Sequence, residues 1–290
     1  MDLEQVNKIT HRYFIYFTLT NLFFLEALGL WLLNFDELAK HRPVYAIDLP
    51  GFGRSSRKEF SDDPLLVEQQ LVNVIETWRI KMNITKMIIL GHSMGGFVAF
   101  SYALRYPERL QHLILADPWG LTEKPSDGKP NKHSQLTDQI GSFFSKYVNP
   151  LEILRLAGPF GQLIVDFTYP ELISKITFVV GDKNTLTQYL QQANIQKPTG
   201  EKAFKTMMDE FYWSKNPMII RLNKLNAKIP MTLILGENSW IDKIDELLLK
   251  QLRSNSYVMY HIIKNVGHEL FAYNSNEFNS VVSEACTIIQ

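Results

Sequence analysis

Cysteine is almost absent from this chain, and the single one, Cys286, excludes an internal disulfide and fits a reducing, intracellular compartment. Net charge is absent as well, because 30 Lys and Arg balance 30 Asp and Glu. A neutral chain lacks the basic surface with which proteins hold nucleic acid. The sequence shows neither a metal-ligand spacing of Cys and His nor an internal repeat. We therefore expect a globular protein that needs no cofactor.

Long apolar runs are also scarce, and only Tyr13 to Leu33 approaches the length of a membrane span. This segment contains Asn21, Glu26 and two threonines, which a membrane span tolerates poorly. No small-residue cleavage site follows it, so a signal peptide is not predicted. A buried strand and helix is the favoured interpretation, and a membrane anchor stays open as the alternative.

Strand-like and helix-like segments alternate along most of the 290 residues. Short apolar runs predict strands, and segments with apolar residues at helical spacing separate them. Such alternation predicts an α/β fold with a mostly parallel central sheet flanked by helices. The predicted strands lie in the stretches PVYAIDLPG, TKMIILG, QHLILADP, AKIPMTLILGEN and SNSYVMYHIIKNVGH.

The alternation stops between Leu121 and Asn226. This part begins with the polar stretch TEKPSDGKPNKHSQ and continues with helical patterns that contain no clear strand. We therefore predict a core formed by residues 1–120 and 227–290, with a helical cap insertion at 121–226. Most apolar residues of the cap are expected to pack together, and some to line a path for an acyl chain, since each buried methylene contributes roughly 0.8 kcal/mol.

The stretch Gly91-His92-Ser93-Met94-Gly95 fits the nucleophile-elbow pattern G-x-S-x-G. An apolar strand precedes it and an amphipathic helix follows, which is the context that the pattern requires. Glycine suits both flanks because a side chain there would meet neighbouring backbone. The pattern predicts Ser93 as a nucleophile, with the amide of Met94 facing the negative charge that develops on the substrate.

A serine hydroxyl needs a base, and His268 is the preferred candidate among seven histidines because it follows the last predicted strand. The chain order Ser, acid, His then places the acid after the preceding strand. Asp242 is the first choice there, Glu237 is its rival and Asp245 is third. The other histidines near these segments, His92 and His261, are expected to have structural roles.

At these residues the chain resembles the α/β-hydrolases, and most closely the abhydrolase-domain lipid enzymes. The resemblance extends over about residues 29–290. It implies a serine hydrolase that acts on lipid acyl esters or amides, of the lysophospholipase, N-acyl-phospholipid lipase or phospholipid deacylase type, with Ser93, Asp242 and His268 as its triad. Cytoplasm, lipid droplet and mitochondrion are the implied locations. The stretches that carry it include PVYAIDLPGFGRSSR, ILGHSMGGFVAFSYALRYPERLQHLILADPWG, NPLEILRLAGPFG and NSWIDK.

Two departures from the family pattern affect the expected activity. The family's glycine-rich oxyanion turn is replaced by LFFLEALGLW, from Leu22 to Trp31, and the first strands of the fold are expected to be incomplete. Losing one oxyanion donor removes about 2.7–4 kcal/mol of transition-state stabilisation. The acyltransferase motif His-x-x-x-x-Asp has Tyr273 in place of the aspartate, which argues against acyl transfer by that motif.

These departures leave an alternative function, a catalytically impaired protein on a membrane or lipid droplet that co-activates a separate triglyceride lipase. One family member with that role has Asn at the position of Ser93. For a lipid substrate with a phosphate head group, Arg54 and Arg57 are possible contacts, although exposed loop arginines more often contact only water.

Overall fold

A computed structural model describes residues 13–18, 28–40, 42–125, 150–168, 170–209 and 213–288. Its centre is a six-stranded sheet in the order β2-β1-β3-β4-β5-β6, and all neighbouring strands are parallel. The parallel sheet and the five strands expected from the apolar runs are confirmed. The strands are β1 (Tyr13–Thr18), β2 (Val44–Asp48), β3 (Met87–His92), β4 (Leu110–Ala116), β5 (Met231–Gly236) and β6 (Val258–Ile263).

Helices cover both faces of the sheet, so β3, β4 and β5 are buried on both sides. One hydrophobic cluster contains residues of α2, α3 and α9, and the other contains residues of α1, α10 and α11. The core helices are α1 (Leu32–Ala39), α2 (Pro64–Lys81), α3 (Met94–Arg105), α9 (Glu246–Leu252), α10 (Leu270–Tyr273) and α11 (Ser275–Thr287).

The amino-terminal segment forms a strand and helices, as the favoured interpretation of Tyr13 to Leu33 predicted. Strand β1 lies between β2 and β3, and a 3₁₀ helix at Leu28–Trp31 leads into α1. Residues 19–27 lie outside the described residues. Within the part of the chain that the structure describes, no helix has the length and hydropathy to cross a membrane.

In the described ranges, the segment between β4 and β5 forms helices and one isolated antiparallel bridge between Met208 and Ser214. Residues 126–149, with most of the predicted polar loop, lie outside those ranges. The inner face of this segment packs through Leu151, Leu154 and Val165 against the cluster that contains Trp31 and Phe271. These helices are α4 (Pro150–Leu156), α5 (Gly161–Thr168), α6 (Pro170–Val180), α7 (Lys183–Asn194) and α8 (Thr199–Met207).

Candidate active site

The turn between β3 and α3 has the geometry of a nucleophile elbow. Ser93 has φ 53° and ψ −126°, a conformation that costs a residue with a side chain of order 1–3 kcal/mol. A Cβ on Gly91 would lie 2.3 Å from the carbonyl oxygen of Gly95, and a Cβ on Gly96 would lie 2.7 Å from Cβ of Pro118. The two glycines therefore permit a turn that the rest of the fold holds under strain.

The neighbouring strand ends beside this turn. His92 pairs with Ala116 in the β3–β4 register, so Ser93 and Asp117 follow directly at the same edge of the sheet. Asp117 also has a positive φ, of 42°. Its backbone N–H donates to the carbonyl oxygen of Ile234 in β5 at 2.7 Å. The backbone N–H of Trp119 donates to the carbonyl oxygen of Ser93 at 3.0 Å, which ties this second turn to the elbow.

His268 lies in the loop after β6, and the structure brings it to the elbow. Nε2 of His92 donates to the carbonyl oxygen of His268 at 2.8 Å, and the two imidazole centroids are 4.5 Å apart. The Trp240 ring also packs against the His268 ring, with a centroid distance of 5.0 Å. His268 and Ser93 are 2% and 1% exposed, so a substrate carbonyl that reaches them is shielded from bulk water.

The carboxylate that hydrogen-bonds Nδ1 of His268 belongs to Asp117, with 2.5 Å between Nδ1 and Oδ2. The Ser239 hydroxyl donates to the same oxygen, and the Gly236 N–H donates to Oδ1 at 3.3 Å. Asp117 is fully buried. A carboxylate in such a place needs donors on both oxygens, and the strand ends supply them.

The acids that the sequence indicated lie in the loop between β5 and α9. Asp242 is half-buried there. Glu237 accepts a hydrogen bond from the backbone N–H of Asn265 at 2.8 Å, and Asp245 accepts one from Leu248 as the cap of α9. Sequence reasoning did not name Asp117 as an acid. The signal that was available is its position directly after an apolar strand, in the stretch ADPWG.

The oxyanion side of the site is described only in part. Met94 is the first residue of α3 and fully buried, and the first amides of a helix have no intrahelical acceptor. Leu22 to Ala27 of the departing stretch lie outside the described residues. The Gly29 N–H donates to the hydroxyl of Tyr189, on α7, at 3.3 Å. The helical segment between β4 and β5 thus contacts this stretch directly.

The other side chains considered from the sequence have structural partners. His261 hydrogen-bonds Glu277 at 2.9 Å. The guanidinium of Arg57 donates to four backbone carbonyls, and burial lowers its pKa. The cavity beside it measures about 10 Å³, which is room for one water rather than a phosphate head group. Arg54 is exposed.

A family model described as alpha/beta hydrolase fold matches residues 22–275. The chain belongs to this family. The human protein named 1-acylglycerol-3-phosphate O-acyltransferase ABHD5 is 42% identical over 264 residues, covering 91% of this chain and 75% of its own length. The mouse protein named (lyso)-N-acylphosphatidylethanolamine lipase is 41% identical over 263 residues, covering 91% and 77%.

Two solved structures share the fold of this chain at low sequence identity. A membrane phospholipase A described as a bacterial virulence factor has a TM-score of 0.67 and 20% identity, covering 96% of this chain and 79% of its own. The enol-lactonase of Burkholderia xenovorans LB400 has a TM-score of 0.63 and 13% identity, covering 96% and 92%. These similarities confirm the expected α/β-hydrolase fold and carry no information on the substrate.

Proposed function

We propose that this α/β hydrolase is a serine hydrolase that cleaves acyl esters or amides of lipids, with glycerophospholipids and lysophospholipids as the substrate class. The observation that carries the proposal is Ser93 at a strained turn, with His268 held against the preceding residue. The relatives whose names describe lipid acyl chemistry support the substrate class.

In the proposed reaction, Nε2 of His268 accepts the proton of Ser93 as Oγ attacks the carbonyl carbon. The amide of Met94 donates to the oxyanion that forms, in a site from which water is excluded. The imidazolium then returns the proton to the leaving alcohol or amine. Water, activated by the same imidazole, releases the fatty acid from Ser93.

A carboxylate on Nδ1 of His268 completes this mechanism, because it holds the tautomer in which Nε2 is free to accept a proton. The sequence indicates Asp242 for this role. The described structure adds a second carboxylate, Asp117, within hydrogen-bonding distance of Nδ1.

We also propose that the helices between β4 and β5 act as a cap that meets a lipid surface, such as a lipid droplet or a mitochondrial membrane. Five large apolar residues lie along α4, α5 and the short 3₁₀ helix between them, Gly158–Phe160. We call them the outer stripe, and their side chains are between 45% and 89% exposed: Ile153, Leu156, Phe160, Leu163 and Phe167. Lipid substrates that are insoluble in water reside in such a membrane or droplet. Exposed apolar side chains on the protein support binding to that lipid surface.

A fluorophosphonate probe tests the proposed nucleophile. We expect the wild-type chain to be labelled and Ser93→Ala not to be, with lipid hydrolysis reduced by at least about 10³-fold. Ser101→Ala is the control variant, because Ser101 is buried in α3 away from the turn. We expect this variant to be labelled by the probe like the wild-type chain. A folded wild-type chain that takes no label and releases no fatty acid from phospholipids or acylglycerols contradicts the proposal. If the chain instead co-activates a separate lipase, Ser93→Ala leaves that stimulation unchanged.

A further inference from the structure

The carboxylate that hydrogen-bonds His268 belongs to Asp117, in the turn directly after β4, and not to the loop between β5 and α9 where the sequence indicates the acid. We propose that Asp117, rather than Asp242, is the positioning residue that holds His268 in its catalytic tautomer. This inference rests on the proposed hydrolase function and assigns the remaining role in that site.

The hydrogen bonds around Asp117 fix the orientation of its carboxylate. Oδ2 accepts from Nδ1 of His268 at 2.5 Å and from the Ser239 hydroxyl, while Oδ1 accepts from the Gly236 N–H at 3.3 Å. A charge-assisted hydrogen bond of this kind is roughly twice as strong as one between neutral groups. With Asp117 and His268 both buried, water does not compete for it.

The backbone gives Asp117 a fixed position relative to the nucleophile. It follows β4, the strand next to the one that ends at the elbow, and its own N–H is bound to Ile234 of β5. Its left-handed φ of 42° aims the side chain from a turn that also binds the Ser93 carbonyl through Trp119. Strained backbone of this type is typical of functional sites. These backbone hydrogen bonds therefore fix Asp117 and Ser93 relative to each other.

Asp242 has a different setting. It lies in the loop after β5, where Ser239 of the same loop directs its hydroxyl to Asp117, and its side chain is only half-buried. A carboxylate in contact with solvent orients an imidazole less firmly than one held by three donors inside the fold. The carboxylate within hydrogen-bonding distance of Nδ1 of His268 is therefore that of Asp117.

Matched amide variants separate the two carboxylates kinetically. An amide in place of the Nδ1 acceptor offers an N–H donor, which favours the wrong tautomer; in the Ser-His-Asp template such a change lowers kcat by about 10⁴-fold. We expect Asp117→Asn to lower kcat by about 10³-fold or more with KM little changed, and Asp242→Asn to stay within about tenfold of wild type. Asp245→Ala, which removes the side-chain cap of α9, controls for loss of stability alone.

A spectroscopic measurement keeps this inference separate from the proposed function. In ¹⁵N-histidine-labelled protein, the signals missing from His268→Gln identify His268. We expect wild type and Asp242→Asn to carry the Nδ1–H tautomer, and Asp117→Asn to shift toward Nε2–H. This shift does not depend on turnover, so it tests Asp117 even in a chain that hydrolyses no lipid. If Asp117→Asn does not fold, Asp117→Ala removes the acceptor of Nδ1–H without offering a donor, and we expect it to lose the preference for the Nδ1–H tautomer.

Three results overturn the inference. The first is a large loss of kcat in Asp242→Asn with Asp117→Asn near wild type. The second is an equal loss in both variants. The third is a His268 tautomer that changes in neither Asp117→Asn nor Asp117→Ala.

Discussion

The edge of the sheet at Ser93 and the helices between β4 and β5 differ in how closely their side chains are packed. At the edge, strained turns, glycines and fully buried side chains leave almost no room for change. On α4 to α6, large apolar side chains point away from the fold, and Phe167 and Phe178 are 89% and 92% exposed. The difference indicates that one region fixes reacting groups while the other presents a surface.

The polar contacts of the two regions also differ in their exposure to water. Around Asp117 and His268, buried polar groups bind one another through short contacts. Along α6, the pair between Lys175 and Glu171 is exposed to water, at 3.1 Å, and exposed pairs of this kind contribute 0–1 kcal/mol. Burial of apolar side chains on the inner face therefore holds the helices in place, and their outer surface is free to change without loss of the fold.

The largest expected effect comes from filling space at the elbow. Gly91→Ala would place a methyl group 2.3 Å from backbone oxygen of Gly95, which cannot move without breaking the turn. We expect the free energy of unfolding to fall by about 3 kcal/mol or more, measured by urea denaturation. Gly181→Ala, after α6, is the matched control.

A Cβ at Gly181 meets no atom within 4 Å among the described residues, although its φ of 79° still disfavours a side chain. We expect Gly181→Ala to cost about 1–2 kcal/mol. Equal losses in the two variants would remove the contrast between a closely packed edge and an open helical surface.

The next effect tests the open surface. In Phe167→Ser/Phe178→Ser, two exposed aromatic side chains are lost, each worth up to roughly 1.5–3 kcal/mol when buried in lipid. We expect binding to vesicles of phosphatidylcholine and phosphatidylethanolamine to weaken by at least about tenfold, measured by co-sedimentation, while hydrolysis of a water-soluble short-chain ester stays unchanged.

The control for this pair is Leu247→Ser. Leu247 is 70% exposed on α9, whose buried residue Leu249 belongs to the cluster on the other face of the sheet. Vesicle binding that falls equally in the control, or that stays the same in the double variant, would show that the exposed apolar side chains of α5 and α6 do not bind lipid.

In the packed region, sequence patterns predicted the individual segments but not which side chains contact one another. Apolar runs and the glycines around Ser93 are local signals, and they located β3, the elbow and the loop of His268. The partner of Nδ1 depends on the strand order that sets β4 between β3 and β5, and no local pattern records that order. Asp117 therefore went unnamed, although its own stretch, ADPWG, was recognised as typical of the family.

The open region was predicted only in outline. Helical spacing marked the segment from Leu121 to Asn226 as helical, but an amphipathic pattern does not say which apolar face packs inside. On α4 and α5 both faces carry apolar residues, so Leu154 inside and Leu156 outside have the same sequence signal. Packing against the cluster with Trp31 decides between them.

The last expected effect tests the buried side of the comparison through the pH dependence of stability. Burial lowers the pKa of His112, in β4, from 6.5 to about 4, and its Nε2 hydrogen-bonds the Thr232 hydroxyl at 2.8 Å. In the unfolded chain the imidazole takes up a proton near its ordinary pKa, so the folded state loses stability as the pH falls from about 6.5 to about 4. The loss amounts to at most about 3 kcal/mol.

We expect His112→Gln, which cannot titrate, to show a correspondingly shallower decline in unfolding free energy between about pH 7 and pH 4.5. Parallel declines in the two proteins would mean that the sheet interior accommodates the charge, and the contrast between a closed core and an adaptable surface would then fail at this fully buried histidine.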